Sequence, residues 1–282
     1  MDMLVSTGWL AAELEAPDLA VLDASLHLPN AQRDARAEFE AAHIPGARFL
    51  DLAGLHDPQS ALPGKVPDGQ RIARWLGERG VGPQTRIVLY DDSMLRSAAR
   101  AWVLLDLAGL ANIAVLDGGL AKWRAEDRPL EAGMPATNPA DRPATAVRMT
   151  DIRDKSAMLA NLDSGGEQVI DARDADRFTG TTQDTVHDLP GGHIPGARHL
   201  FFRDVLNDDG TFREPDELRA LFERAGIDLD RPIVTTCGSG VTASVLLFAL
   251  RLLGAPSTAL YDGSWSEWGA DPETPKETGA PR

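Results

Sequence analysis

Cysteine is nearly missing from this chain: there is one, Cys237, in 282 residues. A single thiol rules out an internal disulfide and fits a reducing compartment. Basic residues are also in short supply. Lys and Arg number 28 against 43 Asp and Glu, a formal net charge of −15, which argues against nucleic acid or an anionic membrane as partner. No apolar run reaches the length of a transmembrane helix. The first 25 residues lack the basic start and apolar core of a secretory signal, so a cytoplasmic protein is expected. The six histidines (27, 43, 56, 187, 193 and 199) show no clustered ligand spacing, and no metal site is expected. What remains is a soluble globular composition, 43% hydrophobic and 25% charged, with length enough for two domains. The acidic balance sets one requirement: a site for an anionic substrate must make its own local positive field.

The lone cysteine sits in the most informative stretch, Pro232-Ile233-Val234-Thr235-Thr236-Cys237-Gly238-Ser239-Gly240-Val241-Thr242-Ala243-Ser244. A β-branched run leads in and an apolar helical pattern leads out. The reading is strand, tight loop, buried helix. Such a turn points successive backbone N–H groups at one spot and favours an anion there. A thiolate in the loop is stabilised by those donors and by the helix dipole. Gly238 and Gly240 permit the backbone angles and the close approach that a cradle needs. Thr242 is placed to cap the following helix. A buried structural cysteine is the bland alternative; the flanking glycines favour a reactive one.

The chain also repeats itself. Val21-Leu22-Asp23-Ala24 returns as Val169-Ile170-Asp171-Ala172, and His43-Ile44-Pro45-Gly46-Ala47-Arg48 returns as His193 to Arg198. Ile87-Val88 matches Ile233-Val234, and Asp117-Gly118-Gly119 with Trp123 matches Asp262-Gly263-Ser264 with Trp268. The offsets are 148, 150, 146 and 145 residues. Four ordered blocks at near-constant offset are a duplication of a whole domain. In each copy short apolar strands alternate with helical patterns, which predicts an α/β fold: a mainly parallel sheet with helices on both faces. Ligands of such sheets sit off the carboxyl ends of strands, where Cys237 lies. The expected division is residues 1–130, a proline-rich connector 131–146, and residues 147–282.

The duplicated HIPGA and DGG/DGS–Trp blocks, with the Cys-Gly-Ser-Gly-Val-Thr loop, resemble the tandem-domain rhodanese-like sulfurtransferases, and within them the mercaptopyruvate branch. The resemblance spans nearly the whole chain, up to the polar tail after Trp268. It implies two rhodanese-like domains of which only the second is catalytic. The first has Asp91 where the second has Cys237, so it is expected to be a scaffold that walls the cleft. The resemblance further implies a persulfide on Cys237, a small-molecule sulfur donor, and an acceptor that is a small thiol, a thioredoxin-like protein or, in the test tube, cyanide. No cofactor is required, and monomer is the default state. Residues Gly238, Ser239, Gly240, Val241 and Thr242 would form the anion cradle. Arg177 would clamp a donor carboxylate. A second arginine expected at position 186 is replaced by Val186, with His187 next to it. A Ser–His–Asp relay proposed for the family maps onto Ser239, His43 and Asp34; the twin of His43, His193, favours a structural role for that histidine. The neutral Gly238 and Ser239 point to 3-mercaptopyruvate as donor, with thiosulfate as runner-up. Phosphatase chemistry is disfavoured because no arginine follows Cys237 until Arg251. A sulfur relay to, or a binding module for, a protein partner stays open.

Overall fold

The computed structural model describes residues 1–281 and divides the chain into two compact units. The first comprises residues 1–58, 66–148 and 208–212; the second comprises 59–65, 149–207 and 213–282. Two short segments thus belong to the unit that their position in the chain would not suggest. The connector groups with the first unit, to which Ala140 and Arg148 are tied by N–H bonds of 2.8 Å to the Gly77 and Leu107 carbonyls.

Each unit is built on a five-stranded, fully parallel sheet. The first contains β1 (Leu4–Val5), β2 (Leu19–Asp23), β3 (Arg48–Phe49), β4 (Arg86–Tyr90) and β5 (Ile113–Leu116), in the order β1-β5-β4-β2-β3. The second contains β6 (Ile152–Arg153), β7 (Gln168–Asp171), β8 (Arg198–His199), β9 (Ile233–Thr236) and β10 (Thr258–Tyr261), in the order β6-β10-β9-β7-β8. The orders are the same strand for strand, so the duplication read from the sequence is a duplication of topology.

The first unit's helices are α1 (Thr7–Glu13), α2 (Ala35–Ala41), α3 (Gly69–Glu78), α4 (Ala98–Leu107) and α5 (Gly119–Ala125). The second's are α6 (Lys155–Ser164), α7 (Ala175–Thr179), α8 (Pro215–Arg224), α9 (Ala243–Leu252) and α10 (Ser264–Trp268). Their starts follow from side chains. Asp68 accepts the Arg71 N–H at the head of α3, and Glu214 with Glu217 forms a capping box ahead of Pro215 in α8. The first eight residues of α9 are all buried, each large side chain among them contributing roughly 1.5–3 kcal/mol of burial. That anchoring holds the preceding loop still.

Both HIPGA blocks do one structural job. His43 stacks on Phe39 at 4.0 Å and its Nδ1 meets the Phe39 carbonyl at 2.7 Å; His193 stacks on Phe178 at 3.9 Å and meets the Phe178 carbonyl at 2.9 Å. His43 exchanges backbone hydrogen bonds with Glu131, and His193 with Glu277. The glutamates' carboxylates accept the Gly46 and Gly196 N–H groups. Each block therefore ties the end of its own unit to the sheet, the second through the polar tail beyond Trp268.

The copies differ beneath the strand ends. In the second unit buried Asp171 is paired with buried Arg173 at 2.7 Å. In the first, Ser25 stands where Arg173 does, and burial pushes the Asp23 carboxyl up to about 6 despite hydrogen bonds from Ser25, with the Asp91 charge adding to the rise. A folded-state value above the ordinary 3.8 means that ionising Asp23 costs the fold free energy. The cost is absent below about pH 4 and complete above about pH 6. Asp23→Asn is therefore expected to stabilise the first unit by about 1–3 kcal/mol near neutral pH, with the gain vanishing towards pH 4. Denaturant unfolding of both proteins across that range checks this, and an unstable variant at neutral pH would contradict it.

Candidate active site

Strand β9 has parallel neighbours on both sides, β7 and β10, and all four of its residues are buried. It ends by delivering Cys237, 2% exposed, into the loop before α9. The Gly240 N–H donates to the Cys237 sulfur at 3.1 Å. Gly240 does so at φ +88°, a conformation that a side chain would resist.

The loop's carbonyls are turned the other way. The Cys237 carbonyl accepts the Trp265 N–H at 2.9 Å. The Gly238 carbonyl accepts the Ser266 N–H at 2.8 Å and the Ser266 hydroxyl at 2.6 Å. Cys237 donates its own N–H to the Ser264 hydroxyl at 3.2 Å, and that hydroxyl donates to the Tyr261 carbonyl at 2.9 Å. Ser264 holds this position at φ +50°, rare for a residue with a side chain. The first turn of α10 thus absorbs the two carbonyl dipoles that would repel a thiolate and leaves N–H character facing the sulfur.

Thr242 does not act as predicted. It occupies the N-cap position of α9 but in a helical conformation, and its side chain makes no capping bond, since a cap needs an extended backbone. Ser244 instead donates its hydroxyl to the Gly240 carbonyl at 2.8 Å. Ser239 is half-buried, and its carbonyl lies beside Gly64. Val241 contributes its carbonyl to the Ser244 N–H.

A polar cluster in the same unit borders the loop. Asp184 is fully buried and sits at its centre. It accepts the Val186 N–H at 3.2 Å, the His187 N–H at 3.3 Å and the His187 Nδ1 at 3.0 Å. Arg177 lies 3.6 Å away and Arg173 3.8 Å. Burial pushes the Asp184 carboxyl up, but the His187 hydrogen bond and the charges of His187, Arg177 and Arg173 outweigh it and hold the group below the usual carboxylate range. The His187 ring packs on Gly238: a Cβ placed on that glycine would lie 3.0 Å from Nδ1 and 3.1 Å from Nε2. Arg173 is stacked over the Trp265 ring at 4.5 Å. Burial opposes its charge, but Asp171, Asp184 and the Cys237 thiolate hold its guanidinium above the ordinary range. On the other flank Lys65 Nζ stands 3.8 Å from Asp262, two residues before Ser264.

Arg177 thus joins the Cys237 loop through Asp184 and His187, while its Nε is also bonded to Asp174 at 2.6 Å. His43 and Asp34 lie in the first unit with local partners. His43 is engaged with Phe39 and Glu131, and Asp34 caps α2 by accepting the Arg36 and Ala37 N–H groups. Asp184, Arg173 and Lys65 were not singled out from the sequence. One signal did exist: aligned at the 148-residue offset, Asp171-Ala172-Arg173 stands against Asp23-Ala24-Ser25.

In the first unit Asp91 occupies the Cys237 position. Its carboxylate accepts the Ser93 and Ala98 N–H groups, each at 2.8 Å, and its carbonyl accepts the Leu120 N–H as that of Cys237 accepts Trp265. The donors that would serve a bound anion are consumed by the protein's own carboxylate.

The model of the rhodanese-like domain matches the chain twice, over residues 6–126 and 154–271. The chain belongs to the rhodanese-like family. This rhodanese-like protein is 40% identical over 276 residues to human 3-mercaptopyruvate sulfurtransferase, covering 94% of this chain and 91% of that protein. It is 37% identical over 280 residues to the thiosulfate sulfurtransferase of Cricetulus griseus, covering 96% and 94%. The crystal structure of SseA from Escherichia coli, described as a 3-mercaptopyruvate sulfotransferase, superposes with a TM-score of 0.85 at 35% identity, covering 94% of this chain and 99% of that one. Two relatives with different donors in their names differ by only three percentage points of identity, so the donor must be argued from the site.

Replacing Gly240 by alanine puts a side chain at φ +88°, at a backbone cost of about 1–2 kcal/mol, and turns its N–H from the sulfur. A fall of tenfold or more in kcat/KM is expected, with the circular dichroism spectrum unchanged. An unimpaired variant would show that this donor does not matter.

Proposed function

We propose that this protein is a sulfurtransferase that takes sulfur from 3-mercaptopyruvate onto Cys237 and passes it to a thiol or to cyanide. The observation that carries the reading is the Cys237 sulfur receiving the Gly240 N–H at 3.1 Å in a loop whose carbonyls are tied to α10. That setting favours a thiolate and, after transfer, a persulfide anion of the same charge.

In the first step the Cys237 thiolate attacks the sulfur of mercaptopyruvate. An S–S bond forms, the donor's C–S bond breaks, and its electron pair leaves on the three-carbon fragment as the enolate of pyruvate, which takes up a proton. In the second, an acceptor thiolate or cyanide attacks the outer sulfur and releases the Cys237 thiolate. One difficult transfer is split into two easier ones. No metal or organic cofactor takes part in either step. Asp34 and His43 are given no step, because both are engaged in holding α2 and the end of the first unit.

Three features support mercaptopyruvate over thiosulfate. Gly238 and Ser239 put no basic side chain into the loop to meet a sulfonate-like dianion. Arg177 and His187 stand to one side, joined through Asp184, with His187 packed against Gly238, which suits a donor that carries a carboxylate apart from its reacting sulfur. The human and E. coli relatives carry mercaptopyruvate in their names. Thiosulfate is the second reading, favoured by the similarity to the Cricetulus griseus enzyme and by the bond that already occupies Arg177 at Asp174.

Steady-state transfer to cyanide with the two donors side by side tests the assignment. A higher kcat/KM for mercaptopyruvate is expected, and Cys237→Ser is expected to abolish turnover with both. A preference for thiosulfate would overturn the donor, and turnover by the serine variant would overturn the mechanism.

A further inference from the structure

The charges around the Cys237 loop leave one undecided. Three permanently cationic side chains border it: Arg173, Arg177 and Lys65. Each faces a carboxylate: Arg173 faces Asp171 and Asp184, Arg177 faces Asp174 and Asp184, and Lys65 faces Asp262. Three cations against four carboxylates leave these side chains one formal charge negative when His187 is neutral and balanced when His187 is protonated, before the charge of a Cys237 thiolate is added. An anionic donor entering the loop meets the sum of these charges.

His187 is also the member of the cluster that touches the loop. Its ring packs against Gly238, next to the reactive sulfur, and its side chain is 14% exposed, so solvent reaches it. Nδ1 is committed to buried Asp184, which fixes the ring and leaves Nε2 as the free edge. In the neutral imidazole with Nδ1 protonated, Nε2 offers a lone pair. In the imidazolium it offers an N–H and a charge. A carboxylate that fixes one nitrogen so that the other faces the chemistry is a common way to orient a histidine. Groups facing the ring are Asp184 on its own turn, Arg177 and Arg173 across Asp184, and Gly238 of the loop.

We propose that His187, oriented by Asp184 against Gly238, is the donor-binding side chain of this site, gripping the donor's anionic group when protonated and releasing it when neutral. The inference rests on the reading of the site as one for an anionic sulfur donor; it does not depend on which donor that is. Its consequence is a protein whose affinity for donor falls as His187 loses its proton, while the capacity of the bound complex to transfer sulfur does not.

The test is the pH dependence of KM and kcat in the full-length enzyme, His187→Gln and His187→Arg. Measurements run from about pH 6 to about pH 8.5, with whichever of mercaptopyruvate and thiosulfate the wild type turns over. A charge-assisted hydrogen bond is worth about tenfold in affinity. The glutamine variant is expected to have KM about tenfold above wild type at the acidic end, converging on it at the alkaline end. The arginine variant is expected to stay near the wild-type acidic value throughout, and kcat is expected to change about twofold or less in both. A glutamine-to-wild-type KM ratio constant across the range would reduce His187 to a packing residue and overturn the proposal. So would a loss confined to kcat.

Cys237 offers a second readout that needs no donor. As the one thiol in the chain, it can be alkylated by anionic iodoacetate and by neutral iodoacetamide, and the ratio of rates cancels the thiolate fraction. That ratio is expected to fall with rising pH in the wild type, and to be low and flat in His187→Gln. Equal ratios in the two proteins would overturn the proposal even if the donor assignment stood. Conversely, a titrating ratio would uphold it even if mercaptopyruvate proved a poor donor.

Discussion

Everything around the Cys237 loop depends on how fixed N–H groups meet a buried sulfur. A sulfur anion at a position 2% exposed would have to be met by dipoles or cations fixed in advance. The first turn of α10 does the larger part. It takes up the carbonyls of Cys237 and Gly238 and the Cys237 N–H, and so leaves Gly240 free to point its N–H at sulfur. The left-handed backbone of Ser264 is the structural cost of that arrangement. Buried α9 on one side and Trp265, wedged between Arg173 and the sheet, on the other hold it in place. Charge comes second: Arg173 lies close enough to Cys237 for the two to interact electrostatically.

The first unit serves as an internal control. Strand order and HIPGA block are the same, down to the N–H bond from the start of the α5 or α10 segment to the residue at the strand end, although the left-handed residue of the loop is Arg96 in the first unit and Gly240 in the second. Two substitutions separate the copies chemically. Asp91 fills its own cradle, and Ser25 removes the cation beneath it, which leaves Asp23 buried without a counter-charge. The fold forms with a carboxylate in place of the thiol, so the rhodanese-like scaffold does not require the thiol.

Much of this was legible in the sequence because it rests on local pattern. The repeat offsets gave two domains, alternation of apolar strands with helical periods gave parallel sheets, and the glycines around a lone cysteine marked the tight loop that holds it. The two-residue strands β1, β3, β6 and β8 were not readable, since two residues carry no periodicity. Neither was the cap of α9, where tertiary packing sets Thr242 in a helical conformation. The polar cluster was only half visible. Arg177 and His187 stood out as cations, but Asp184, the group that joins them to the loop, is an acidic residue in a chain with 43 of them, and nothing short of the fold marks it as buried. His43 and its twin His193 stack on Phe39 and Phe178 in the same way, so the repeat of the motif is also a repeat of its packing.

The most direct test of the account is the intact mass of the protein after brief exposure to mercaptopyruvate with no acceptor present. A gain equal to one sulfur atom is expected, confined to the peptide containing Cys237, removed by cyanide, and matched mole for mole by pyruvate. Pyruvate released without any sulfur held on Cys237 would contradict the central claim that this loop exists to carry a sulfur anion between two substrates.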